Sequence, residues 1–307
     1  MRIRLLAGAS LISFFLLFSG TANAGVVRQD NGDTVDFVPT GKGWGEPPVR
    51  GKGSTKTART GSNGITYHGG PLILGTTHAY YIWYGNWAGN TATTILSDFA
   101  SAIGGSPYYN INTTYTDGSK MAVSNAVLLM ASTTDSYSQG SALTDANINT
   151  IVSNAINSGA LPKDSNAVYF VLTSADVTET SGFCTQYCGW HTHGTIAGLD
   201  IKYSFVGNPD QCPSACAAQT VSPNGNAGAD GMASVIVHEL EEAVTDPDLN
   251  AWYDNRGMEN ADKCAWKFGT TYTTANGSLA NMNLGGKDYL IQQNWVNATG
   301  GYCALSY

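Results

Sequence analysis

Apolar residues at Met232, Val235, Ile236, Leu240, Ala243 and Val244 fall on one arc at about 100° per residue, which predicts a helix over 229–245. Pro247 ends it, since proline has no N–H to donate and restricts the residue before it. Elsewhere the pattern alternates between strands and helices. Residues 79–84 read as a buried strand, 91–103 as a helix stopped by Gly104-Gly105, and 108–115 and 126–130 as further strands. Thr144 caps a helix through about 157, and 167–172 is an apolar run suited to the centre of a sheet. Residues 196–206 read as an edge strand over a cleft. Past 262 only short strands are expected. This order predicts an α/β fold with a partly parallel, mixed sheet.

The 229–245 helix carries more than a packing face. It reads His238-Glu239-Leu-Glu-Glu242, with Asp230 near its start. His238 and Glu242 lie one turn apart beside the apolar arc and can reach one ion. Glu239 projects into the arc, where an unpartnered carboxylate is costly. In H-E-x-x-H metallopeptidases the outer residues bind zinc and this glutamate is the general base. The expected site is therefore zincin-like, with Glu239 as base and His238 and Glu242 as ligands. Glu259 supplies the third ligand by its longer reach, and Asp262 is a hydrogen-bonding partner or alternative ligand. His191 and His193, two apart in extended chain, are auxiliary candidates. His68 and His78 are weaker ones. Zn²⁺ suits the set, with Ca²⁺ or Mn²⁺ as alternatives favoured by its carboxylates.

Composition narrows the setting. Arg2 and Arg4, the apolar stretch to Phe18 and Ala22-Asn23-Ala24 read as a signal peptide over 1–24, which implies secretion with periplasmic transit as an option. Its removal takes the formal charge from −8 to −10, which disfavours nucleic acid and anionic membrane as partners. No other stretch spans a bilayer. Residues 25–64, rich in Gly and Pro, are expected to be a flexible leader or propeptide, and 65–307 a single domain. Six cysteines in an exported chain favour disulfides. The two C-x3-C elements suggest antiparallel pairing, Cys184–Cys216 and Cys188–Cys212, with Cys264–Cys303 at the end. A Cys/His metal knuckle is the alternative. The aromatics Tyr80, Tyr81, Trp83, Tyr84 and Trp87 suit core packing, or else a sugar-binding platform.

Several segments together carry a family resemblance: Tyr67-His-Gly-Gly-Pro71, Ile82-Trp-Tyr-Gly-Asn-Trp87, Val171-Leu-Thr-Ser-Ala-Asp-Val177, Cys188-Gly-Trp-His191, His238-Glu-Leu and Asn250-Ala-Trp-Tyr253. In this order the chain resembles the Exordium, or phosphate-induced, family of secreted proteins, as a member with a bacterial-type signal peptide. Glu259-Asn-Ala-Asp262 departs from the family's usual run. The resemblance implies an extracellular role linked to growth or the cell wall, and implies no secure catalytic activity.

Two functions follow. One is a secreted metal-dependent hydrolase, a zinc peptidase acting on peptide or a cell-wall polymer. The other is a non-catalytic extracellular binding or signalling protein on a hydrolase-like scaffold. Glu239 divides them, because an inactive centre has no need of a base among apolar side chains. Oligomeric state has no signature in the sequence.

Overall fold

The seven residues of Ala167–Thr173 are all fully buried. A strand without polar alternation must be covered on both faces. In a computed structural model that describes residues 64–307 and the backbone of Gly25–Asp30 and Val35–Thr40, this strand is the middle one of five. The strands are β1 (Thr77–Tyr84), β2 (Val127–Asp135), β3 (Ala167–Thr173), β4 (Gly189–Ile196) and β5 (Leu199–Val206). Their order is β2-β1-β3-β5-β4. All neighbours pair in parallel except β4, which runs antiparallel to β5 along one edge. The expected signal peptide lies outside the described residues. The expected leader shows one described feature, an antiparallel pairing of Gly25–Asp30 with Val35–Thr40.

Helix α1 (Ala92–Ile103) connects β1 to β2, and α2 (Asp145–Asn157) connects β2 back to β3. The two crossovers step across the sheet in opposite directions, so right-handed connections place α1 and α2 on opposite faces. The long helix α3 (Ala227–Thr245) packs against α1 and beneath β4, β5 and β3. The local signals for these helices are explicit. Thr144 accepts from the Asn147 N–H while the Asn147 side chain reaches back to the Thr144 N–H, a reciprocal cap. Asn226 caps α3 by accepting from the Ala229 N–H at 3.0 Å.

Three expectations need correction. Residues 108–115 are not a strand: Tyr109–Thr114 form a 3₁₀ turn. Thr113 and Thr114 each donate a hydroxyl to the carbonyl three residues back, and Asn112 does so through its amide, so polar side chains hold the chain in a turn. Residues 199–206 are not the sheet edge but an inner strand. The edge on that side is β4. A two-residue turn at Ala197-Gly198, both with positive φ, folds β4 onto β5. Finally, the C-x3-C elements pair in parallel, Cys184–Cys212 and Cys188–Cys216, rather than antiparallel. The second element is a one-turn helix, Pro213–Cys216, which presents Cys212 and Cys216 along one side to a segment running the same way. Cys264–Cys303 forms as expected, and all six cysteines are paired.

The aromatic run of β1 belongs to the core. Tyr80, Tyr81, Trp83 and Tyr84 are at most 5 % exposed and Trp87 is 7 % exposed, which leaves no platform for a sugar. Among the described residues, no helix is long and apolar enough to cross a membrane.

Candidate metal centre

Helix α3 is not the amphipathic helix its arc implies. Every residue from Met232 to Thr245 is buried, the four acidic or basic side chains His238, Glu239, Glu241 and Glu242 included. Each polar group therefore needs a partner from another element.

Strand β4 supplies one. Gly189, His191 and His193 alternate along it and so share a face. Gly189 sits where the strand crosses α3: a Cβ there would lie 2.5 Å from Val235 Cγ1, 2.9 Å from the Phe205 carbonyl and 3.2 Å from Glu239 Oε1. The missing side chain lets the backbone close on the helix and brings His191 over it. His191 Nδ1 lies 3.5 Å from Glu239 Oε2 and 3.6 Å from Glu242 Oε2, and its Nε2 lies 3.6 Å from Glu259 Oε1. Gly189→Ala should cost about 1–3 kcal/mol through overpacking. Urea denaturation reads this directly, and an unchanged midpoint would contradict the close approach of strand and helix.

On the other side of Glu242, His238 Nε2 lies 3.1 Å from Glu242 Oε1 and 3.7 Å from Asp262 Oδ1. Asp262 opens a 3₁₀ turn, Asp262–Cys264, and its own N–H donates to Glu242 Oε1 at 3.0 Å. That bond fixes the turn against α3 and sets the Asp262 carboxylate beside His238. His238, Glu242 and Asp262 thus bring ligand-type atoms within 4.8 Å of one another. Glu259 instead faces the far nitrogen of His191, because the bend from 259 to 262 aims the two carboxylates differently. The bend is held by the Glu259 N–H donating to Asp262 Oδ2 at 3.2 Å.

The contacts of His238 with Glu242 and Asp262, and of His191 Nδ1 with Glu239 and Glu242, are too loose or too poorly aligned to be hydrogen bonds. Both nitrogens of His238, Nδ1 of His191, Oε2 of Glu242, Oδ1 of Asp262 and both oxygens of Glu259 have no hydrogen-bond partner, though all are buried. Native proteins rarely leave so many buried polar atoms unmatched in one place. The spacing suits another role. Metal bonds of about 2.1 Å at tetrahedral angles put ligand atoms about 3.4 Å apart. The contacts of His238 with Glu242 and Asp262, at 3.1 and 3.7 Å, bracket that distance.

Electrostatics agree with a site built for positive charge. Burial alone would depress both imidazoles. The carboxylates overcome it, Glu239 and Glu242 bringing His191 up to about 10, and Glu242 with Asp262 holding His238 well above its ordinary value. Burial would raise Glu242, yet His238 and His191 hold it down at about 2. Burial, reinforced by neighbouring carboxylates, pushes Asp262 to about 7 and Glu259 well above the usual range.

Two buried acids carry no sequence signal. Asp246 ends α3, and its Oδ1 accepts from the Asn250 and Ala251 N–H groups at 2.6 Å each while Oδ2 has no hydrogen-bond partner. Glu241 faces away from the histidines, accepting from Tyr108 Oη at 3.0 Å, and burial pushes its carboxyl up to about 8. Glu241 lies in the helix and Asp246 at its C-terminal cap, and the apolar arc includes neither.

The other histidines are used elsewhere. His193 emerges one step further along β4, 36 % exposed, where Asp200, Asp248 and Lys202 surround it. The Lys202 ammonium already bridges Asp200 and Asp248, so this surface group is an ion-pair cluster. His78 pairs with Asp164 at 2.5 Å, and His68 stacks on Tyr253 with ring centroids 3.7 Å apart.

Fold and site define a class: a mixed α/β protein, cross-linked by disulfides, with a buried histidine–carboxylate cluster between its longest helix and the sheet edge. Residues 65–297 match the family described as the phosphate-induced protein 1 conserved region, and the chain belongs to that family, the Exordium family. It is 33 % identical to EXORDIUM-like 5 of Arabidopsis thaliana over 75 % of each chain. It is 32 % identical to EXORDIUM-like 3 of the same plant, over 78 % of this chain and 82 % of the relative. Identity to Arabidopsis EXORDIUM is 28 %, over 74 % of this chain and 84 % of that protein. No solved structure matches.

Proposed function

We propose that the chain is a secreted, non-catalytic extracellular protein, of the growth- and cell-wall-associated kind its family implies, whose core is held together by a buried divalent cation. His238, Glu242 and Asp262 hold the ion. The single observation that carries this reading is closure. His238 is 1 % exposed, and Glu239 and Glu242 are fully buried. Structural metal sites are closed, whereas catalytic ones keep a position open to water and substrate. The small cavity lined by Gln219, Ser222, Asp230, Ser234, Trp266 and Leu290 lies toward the other end of α3 and reaches none of the cluster.

The hydrolase reading rested on Glu239 as a base with nothing else to do. His191 answers that point, since it sits against Glu239 in the folded chain. The motif helix lies under a mixed sheet with an antiparallel edge, and β4 packs over the part of it that carries His238 and Glu239. In this role the ion supplies positive charge that offsets buried carboxylates, and its binding free energy adds to folding. The domain over 65–307, its export behind residues 1–24, and a polymer or protein partner rather than nucleic acid complete the proposal.

The test is hydrolysis. Secreted protein, purified without chelators and supplied with Zn²⁺ or Mn²⁺, should cleave no member of a broad peptide library. Metal-dependent cleavage that Glu239→Gln abolishes would overturn this reading in favour of a peptidase.

A further inference from the structure

The single-ion site leaves half of Glu242 unexplained. Its Oε1 faces His238 and Asp262, but its Oε2 turns the other way, 3.6 Å from His191 Nδ1. There His191 Nδ1 is also 3.5 Å from Glu239 Oε2. These separations again match the edges of a metal coordination shell, about 3.4 Å. The ligand atoms of His191, Glu239 and Glu242 all lie within 4.8 Å of one another, as do those of His238, Glu242 and Asp262. The two trios share one residue and use its two oxygens separately.

We propose that Glu242 bridges two divalent cations, one held with His238 and Asp262 and the other with His191 and Glu239. The proposal rests on the metal-centre reading above and extends it from one ion to a pair.

Charge supports the pair. Glu239, Glu242, Asp246, Glu259 and Asp262 are all at most 5 % exposed and gather around two imidazoles. With both histidines neutral and all five carboxylates ionised, one divalent ion would leave three negative charges uncompensated in the interior, and two ions would leave one. Uncompensated buried charge costs several kcal/mol per ion even after relaxation. Unmatched atoms support it independently. Glu242 Oε2 and His191 Nδ1 both lack hydrogen-bond partners, and they face each other on the side away from His238.

One nitrogen and two carboxylates per ion suit a first-row divalent cation such as Mn²⁺ or Zn²⁺. Ca²⁺ prefers a larger, all-oxygen shell. Carboxylate-bridged pairs sit about 3.5–4 Å apart, close enough for paramagnetic ions to couple. Glu239, read from sequence as a base, becomes a ligand.

The experiment is metal counting with Mn²⁺ as probe. Full-length secreted protein exchanged into Mn²⁺ should hold two equivalents by elemental analysis and give the electron paramagnetic resonance spectrum of a coupled pair. His191→Ala and Asp262→Asn each remove a ligand from one site only, and each should retain one equivalent with an uncoupled spectrum. These two variants keep the test decisive if Glu242→Gln fails to fold. One equivalent in the wild type, or two without coupling, overturns the pair. One equivalent unaffected by His191→Ala leaves the single-ion reading standing. No bound metal in the wild type overturns both.

Discussion

Stripping the metal should lower the thermal midpoint by about 8–16 °C. An ion present at about a thousand times its dissociation constant stabilises the native state by about 4 kcal/mol, provided the unfolded chain does not bind it. Each kcal/mol moves the midpoint of a domain of this size by about 2–4 °C. The sign follows from the chemistry of the cluster. Chelation leaves carboxyl groups of α3 and the 259–262 bend facing one another inside the protein, with neither carboxyl oxygen of Glu259 hydrogen-bonded. Scanning calorimetry of protein held with and without a strong chelator measures the shift. Identical midpoints, with metal removal verified by elemental analysis, would mean that no ion contributes to folding.

Cutting the Cys264–Cys303 bridge should have an effect of similar size. It closes a span of 39 residues, and constraining a loop of that length in the unfolded chain is worth about 4 kcal/mol. The bridge also ends the 3₁₀ turn that begins at Asp262, tying it to the last strand, Tyr302–Ala304. Cys264→Ser/Cys303→Ser protein is therefore expected to lose stability and to bind metal more weakly, because the Asp262 carboxylate loses its anchor. Denaturant titration and metal content, read on the same preparation, separate the two consequences. A double variant within about 1 kcal/mol of the parent would show that hydrogen bonds alone fix the turn.

How much of this was legible depended on whether the signal was local. The His238–Glu242 pair follows from helical spacing alone, and the helix that bears it falls where the apolar arc and Pro247 place it. The central strand at Ala167–Thr173 and the capped helix at Asp145–Asn157 are equally local readings. That Asp262 lies beside His238 while Glu259 faces His191 depends on which way the bend turns, which side-chain length does not reveal. His191 could be named only as an auxiliary, because its place is set by the register of β4 on β5, where it pairs with Ser204. Burial of Glu241 and Asp246 depends on what covers the polar side of α3, which periodicity within the helix does not reveal. The turn at Tyr109–Thr114 was mistaken for a strand because Tyr, Ile and Thr favour strands, while the hydroxyl-to-carbonyl bonds that bend it depend on geometry. Parallel pairing of the cysteines likewise depended on the relative direction of two short segments.

Closure of the centre has a kinetic consequence. With His238 1 % exposed and Glu242 fully buried, a seated ion cannot meet water until α3 and β4 part. Such opening of a packed core element costs a large part of the global unfolding free energy. Exchange would then run on the timescale of partial unfolding, far slower than the diffusion of ions to a surface site. The ion found in the mature protein would be the one at hand when the chain folded. The surroundings in which the chain folds, rather than those in which the folded protein later resides, would decide its identity.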